Sequence, residues 1–194
     1  MKHTPKILAF AGSMREDSFN KKLIKIAVGG ARKAGAEVTL IDLADYRFPL
    51  YDGDLEAREG IPKLAQEVKK MMIEHDGFMI ASPEYNSSIS GVLKNFIDWV
   101  SRPEKGETVN LPAYRGKVAA IMSASPSPLG GLRGLVTLRS ILENIFCMVL
   151  PEQVTISNAD KAFTHDGQLH DVALEERVLK QGKNLVEFLT KMKG

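Results

Sequence analysis

The stretch Ile7 to Leu23, "ILAFAGSMREDSFNKKL", runs from an apolar segment, through a loop of small hydroxyl residues with one amide and one arginine, into a helical period. Lys6 to Ala11 is apolar beyond its first residue and has strand length, the pattern of a strand buried on both faces. From Lys21 to Ala34 the residues Leu23, Ile24, Ala27, Val28 and Ala31 recur on one helical face, and Gly35 supplies a stop. A buried strand feeding an amphipathic helix is the opening of a parallel α/β unit.

The pattern repeats outward from there. Strands are expected at Glu37 to Asp42, Gly77 to Ala81, Lys117 to Ser123 and Met148 to Ile156, the last bulged near Pro151. Helices are expected near Ile61 to Glu74 with Pro62 in the first turn, at Val92 to Val100, at Leu132 to Phe146, and from about Asp171 to Lys191. Five strands alternating with helices imply one parallel sheet covered on both faces, and no repeat or linker divides residues 1–194.

A chain of 194 residues buries roughly 70% of its unfolded surface, enough for a self-supporting core. Its single cysteine, Cys147, excludes an internal disulfide framework, and the neighbours "IFCMVL" read as core. The four histidines are scattered without ligand spacing, so no metal site is expected. A net charge of +2 with mixed signs leaves no nucleic-acid footprint. The apolar run near the N-terminus is too short for a signal or membrane helix, so a cytoplasmic protein without membrane insertion is expected.

In a parallel sheet of this kind, ligands sit at the carboxyl ends of the strands where the strand order reverses. In the first such loop, "GSMREDSFN", Gly12 permits a sharp turn, Ser13 and Ser18 offer hydroxyls, and Asn20 offers an amide at the mouth of a helix. Amides at a helix start favour an anion, and Arg15 adds a forked, permanently charged donor. A plainer role is equally open: Ser18 or Asn20 as N-cap, with Arg15 solvated. The loop is neither a Walker A nor a three-glycine dinucleotide fingerprint, and lacks the C-x5-R of phosphatases. A bound monophosphate remains.

The second loop, "SPEYNSSISGVLKNFIDW", has Pro83 to stiffen the turn, Tyr85 to present a ring and Asn86 to donate or accept, which suits a planar heteroaromatic ligand. Tyr85 covering the sheet end and Asn86 making a turn would serve structure alone. Lys94 and Asp98 stand one helical turn apart and read as a surface pair.

Together these residues place the chain in a recognisable setting. It resembles the NADPH-dependent FMN reductases of flavodoxin-like fold, particularly the branch of bacterial chromate or quinone reductases and related azoreductases. "GSMREDSFN" matches that family's G-S-x-R-x-x-S-x-N phosphate loop, and the second loop its P-E-Y-N-x-S-x-x-G-x-L-K-N-x-I-D-W block. The resemblance implies a three-layer α/β/α sandwich whose five-stranded parallel sheet has the order 2-1-3-4-5. It also implies that Gly12, Ser13, Arg15, Ser18 and Asn20 hold the FMN phosphate. Pro83, Glu84, Tyr85 and Asn86 would line the ribityl chain and isoalloxazine, with Ser123 completing the site.

The chain departs from that family after the fourth strand, where "SASPSPLGG" replaces a glycine-rich loop. Pro126 and Pro128 remove backbone donors, which leaves contacts from Ser125 to Pro128 open, whereas Ser123 and the Gly130-Gly131 turn are better placed, the glycine pair serving either a ligand or only a helix entry. Glu84 has the form of a general base, but a structural or inter-subunit role fits it as well.

The implied activity is NAD(P)H oxidation through bound FMN with reduction of small acceptors such as quinones, azo compounds, chromate or free flavin; the flavin carries the chemistry and no protein catalytic residue is required. A flavodoxin-like electron carrier or a flavin-free regulatory module would share the fold. A homodimer or dimer of dimers is expected, from the resemblance and from Phe48, Leu50 and Tyr51 in the 43–60 loop, which would form an exposed apolar patch.

Overall fold

A computed structural model describes residues 3–193. In chain order its elements are β1 (Lys6–Ala11), α1 (Phe19–Lys33), β2 (Glu37–Asp42), α2 (Gly53–Glu59), α3 (Lys63–Glu74), β3 (Gly77–Ala81), β4 (Glu84–Tyr85) and β5 (Ser88–Ile89). There follow α4 (Gly91–Val100), β6 (Val118–Ala124), α5 (Leu132–Asn144), β7 (Met148–Val149), β8 (Val154–Ile156), α6 (Ala159–Ala162) and α7 (Val172–Lys193).

The main sheet runs β2-β1-β3-β6-β7, with β8 also on β6 and every pairing parallel. The expected order 2-1-3-4-5 therefore holds, with the fifth position shared by β7 and β8. Side chains alternate across the sheet, as the strand period requires. Ile7, Ala9 and Ala11 of β1 join α1 and α7 in one core, while Leu8 and Phe10 join α4 and α5 in the other. That two-sided burial is why the strands read as continuous apolar runs.

Close packing of α1 on α7 depends on two glycines. A Cβ on Gly30 would lie 2.0 Å from the Leu179 carbonyl oxygen, and one on Gly182 would lie 2.2 Å from that of Ala27. Each helix backbone thus rests on the other.

The fifth strand departs furthest from its sequence reading. It breaks completely between Val149 and Val154, and the carbonyls freed there are met by the Arg139 guanidinium, which donates to Val149 O at 3.2 Å and Leu150 O at 2.8 Å. Proline cannot donate to a ladder, so Pro151 ends β7, and the chain resumes pairing with Val154.

The 43–60 loop also differs from expectation. Phe48 stacks on Phe96, centroids 6.1 Å apart, and Tyr51 meets Trp99 edge-on at 5.1 Å. Of the three residues named for an apolar patch, only Leu50 is left exposed, at 80%. The expected patch is mostly internal packing.

Candidate functional site

Register brings the ends of the central strands level: Ala11 pairs with Asp42 on one side and with Ala81 on the other, and Ala81 pairs with Met122. The loops after β1, β3 and β6 consequently converge at the point where strand order reverses. Ser13, Arg15, Ser18 and Asn20 from the first loop and the start of its helix, Pro83, Glu84 and Tyr85 from the second loop, and Ser125 and Pro126 from the third line one cleft.

In the first loop, Ser18 has an extended backbone, φ −93° and ψ 127°, and occupies the N-cap position of α1, but its side chain makes no capping hydrogen bond. No acidic residue occupies the first turn of the helix. The positive end of a 15-residue helix is therefore left without an anionic or hydroxyl cap from its own chain. Arg15 is exposed, and its guanidinium has one weak contact, 3.5 Å to the Asp17 carbonyl oxygen. Ser13 is buried and its hydroxyl accepts the Arg15 amide at 3.3 Å, which turns the loop.

Two residues of this loop also tie it to other elements. Asn20 bonds both ways to the backbone of Ala124, its Nδ2 donating to Ala124 O at 2.9 Å and its Oδ1 accepting Ala124 N–H at 3.0 Å. With both amide atoms bonded to Ala124, Asn20 pins α1 to the end of β6, and it lines the cleft beside Ser18. Gly12 donates to Ala81 O at 2.8 Å and accepts from Ser90 Oγ at 2.5 Å, and a Cβ on it would lie 2.9 Å from Leu93 Cδ2. Its missing side chain makes room for α4, not for a ligand.

The second loop forms a hairpin that periodicity did not reveal. Glu84 pairs with Ile89 and Tyr85 with Ser88, antiparallel. The two turn residues are left-handed, Asn86 with φ 50° and Ser87 with φ 64°. A two-residue hairpin of that type suits Asn-Gly, so Ser87 is strained where glycine would not be. Tyr85 is 52% exposed on the cleft wall, Pro83 is buried beside it, and Asn86 lies at the exposed tip outside the cleft lining. The Glu84 carboxylate is engaged with Arg133 and with the amide of Gly134. It is a structural acceptor on the cleft wall, the structural role being among those its sequence left open.

Ser123 is fully buried, and its Oγ is the one buried side-chain polar atom without a hydrogen-bond partner among the described residues. Gly131 covers it: with φ 87°, a Cβ there would fall 1.9 Å from Ser123 Oγ. Ser125 and Pro126, whose contacts the sequence left open, line the cleft. A proline lacks a donor, yet its ring still forms a wall.

Cys147 and the Lys94–Asp98 pair behave as the sequence suggested. Burial pushes the Cys147 thiol up to about 12, with Lys117 opposing weakly, so the sulfur is inert. Lys94 and Asp98 form a surface ion pair at 2.7 Å. Among the described residues no cluster of three or more metal-ligating side chains occurs, and no helix is long and apolar enough to cross a membrane.

The cleft thus combines an uncapped helix end and a free guanidinium with an exposed ring on a strained hairpin, which is fit to hold an anionic group joined to a planar one. The sequence profile described as NADPH-dependent FMN reductase matches residues 5–161. An NAD(P)H-dependent FMN reductase of Pseudomonas aeruginosa is 34% identical over 97% of both chains. A quinone reductase of Escherichia coli is 32% identical over 96% of both. The flavoenzyme NAD(P)H:(acceptor) oxidoreductase FerB of Paracoccus denitrificans superposes with a TM-score of 0.78 at 25% identity, covering 97% of this chain and 98% of its own.

Proposed function

The chain belongs to the NADPH-dependent FMN reductase family, and from that premise we propose that it binds FMN, oxidises NADPH or NADH, and reduces small acceptors. Quinones and free flavins are the first candidates, in keeping with the names of its relatives; azo compounds and chromate are further ones. The observation that carries this reading is the uncapped amino end of α1 beside the free Arg15 guanidinium, in one cleft with Tyr85.

Bound FMN would supply a group that accepts a hydride from nicotinamide and yields two electrons to an acceptor. The protein's part is to bind and orient. Ser13, Arg15 and Ser18 take the phosphate end, and Pro83 and Tyr85 the ribityl and ring end, with Asn86 at the hairpin tip beside them. Gly12 holds the loop's shape from behind, and Asn20, on the cleft wall, ties it to the end of β6. A cytoplasmic homodimer or dimer of dimers completes the proposal, and sedimentation of the FMN-saturated protein at micromolar concentration as a monomer would count against that part.

The test is direct. Purified protein given FMN should turn yellow and oxidise NAD(P)H steadily when a quinone is present. A flavodoxin-like carrier would colour without steady turnover, and a flavin-free module would stay colourless.

A further inference from the structure

We infer that Glu84 is a positioning residue: its carboxylate fastens the β4-β5 hairpin to the amino end of α5 and thereby sets the Tyr85 wall of the cleft. The inference rests on the flavin reading above. It starts from a deficiency in α5, whose N-cap is Gly131, a residue with no side chain to satisfy the orphan amides. The amide of Gly134, in the helix's first turn, donates instead to Glu84 Oε2 at 3.0 Å. The other carboxylate oxygen accepts Arg133 Nε at 3.1 Å and Nη2 at 3.0 Å, and the Glu84 side chain is only 8% exposed.

A capping side chain ordinarily comes from the helix it caps. Here it comes from another element, so the capping bond is also a tertiary one. The hairpin lies directly on the helix: a Cβ on Gly134 would stand 3.1 Å from Ser88 O and 3.2 Å from Glu84 Cα. Thr137 Oγ1 adds a long bond to Ser87 O at 3.4 Å. A hairpin whose turn residues are both left-handed and neither glycine resists its own conformation and needs such outside support. Tyr85 follows Glu84 in the chain, so release of the carboxylate frees the ring as well.

The test compares FMN with riboflavin. Because Glu84 acts on the ring wall and not on the phosphate end, Glu84→Ala should weaken both ligands together, by about tenfold, as loss of a charge-assisted hydrogen bond suggests. Amide hydrogen exchange across residues 84–89 should quicken in the ligand-free protein. Glu84→Gln, which keeps an acceptor oxygen for Gly134, should recover most of the affinity. Gly134→Ala pushes the hairpin from the opposite side, so it should reproduce the equal loss, and it carries the test if Glu84→Ala does not fold. Unchanged affinity for both ligands in folded variants, or a loss confined to FMN, overturns the inference. Parent protein that binds neither flavin overturns the flavin reading itself, a different result from either.

Discussion

Ser123 shows how a residue's place can be legible in sequence while its surroundings are not. Its position at the end of the fourth expected strand was right, but whether a strand-end hydroxyl faces a ligand or a neighbouring backbone depends on a glycine eight residues on. Gly131 covers it, and the hydroxyl is buried without a partner. An unsatisfied buried hydroxyl costs more than the methyl that would replace it, so Ser123→Ala should raise stability by about 1 kcal/mol in urea unfolding. FMN affinity should not change. A loss of affinity in this variant would return Ser123 to the site. The contacts of Asn20 and Gly12 were hidden for the same reason: their partners, Ala124 and Leu93, are remote in sequence. The exposed guanidinium of Arg15 and the N-cap position of Ser18 were legible because a charged donor and a helix start are local features.

At the scale of elements, β1, β2 and β3 match their expected spans: β1 and β3, buried on both faces, leave unbroken apolar runs, while β2 is a partly exposed edge strand. The β4-β5 hairpin was not visible, because strands of two residues cannot establish a period. The break in the fifth strand depends on Arg139, which no local pattern links to Val149. Helix contacts show the same limit: "VGG" in α1 does not say which glycine is packed. Gly182→Ala, with its Cβ 2.2 Å from Ala27 O and 2.8 Å from Ala31 N, should force α1 and α7 apart and cost about 2 kcal/mol or more despite better helix propensity. Gly29 has nothing nearer than Leu179 Cδ2 at 3.8 Å. There propensity decides, and Gly29→Ala should stabilise by up to about 1 kcal/mol. Equal effects from the two substitutions, by denaturant titration, would contradict this packing.

Across the whole molecule, Asp76 ties both ends of the described chain to the centre of the sheet. Its carboxylate accepts from His3 Nε2 and the Lys6 amide, each at 2.8 Å, and from Lys193 near the end of α7. Burial alone would raise its pKa, but the hydrogen bonds from Lys193, Lys6 and His3 outweigh that and hold it at about 2, below the ordinary 3.8. A folded pKa below the unfolded one contributes stability above about pH 4 that is lost as pH falls toward 2. The contribution is at most about 2 kcal/mol. Asp76→Asn should therefore be less stable than the parent at pH 6, and the gap should close by pH 2. A gap that persists at pH 2 would mean that packing, not charge, holds the termini.

The whole-molecule claim is that the convergent loops hold FMN by its phosphate, with Arg15 the main charged contact. The measurement is the affinity of the parent and of Arg15→Ala for FMN and for riboflavin, which lacks the phosphate. A charge-assisted hydrogen bond is worth about 1.5 to 3 kcal/mol, so the phosphate-loop assignment predicts FMN binding weakened roughly 10- to 100-fold and riboflavin binding scarcely changed. Equal weakening of both ligands, or FMN binding left intact, would contradict it.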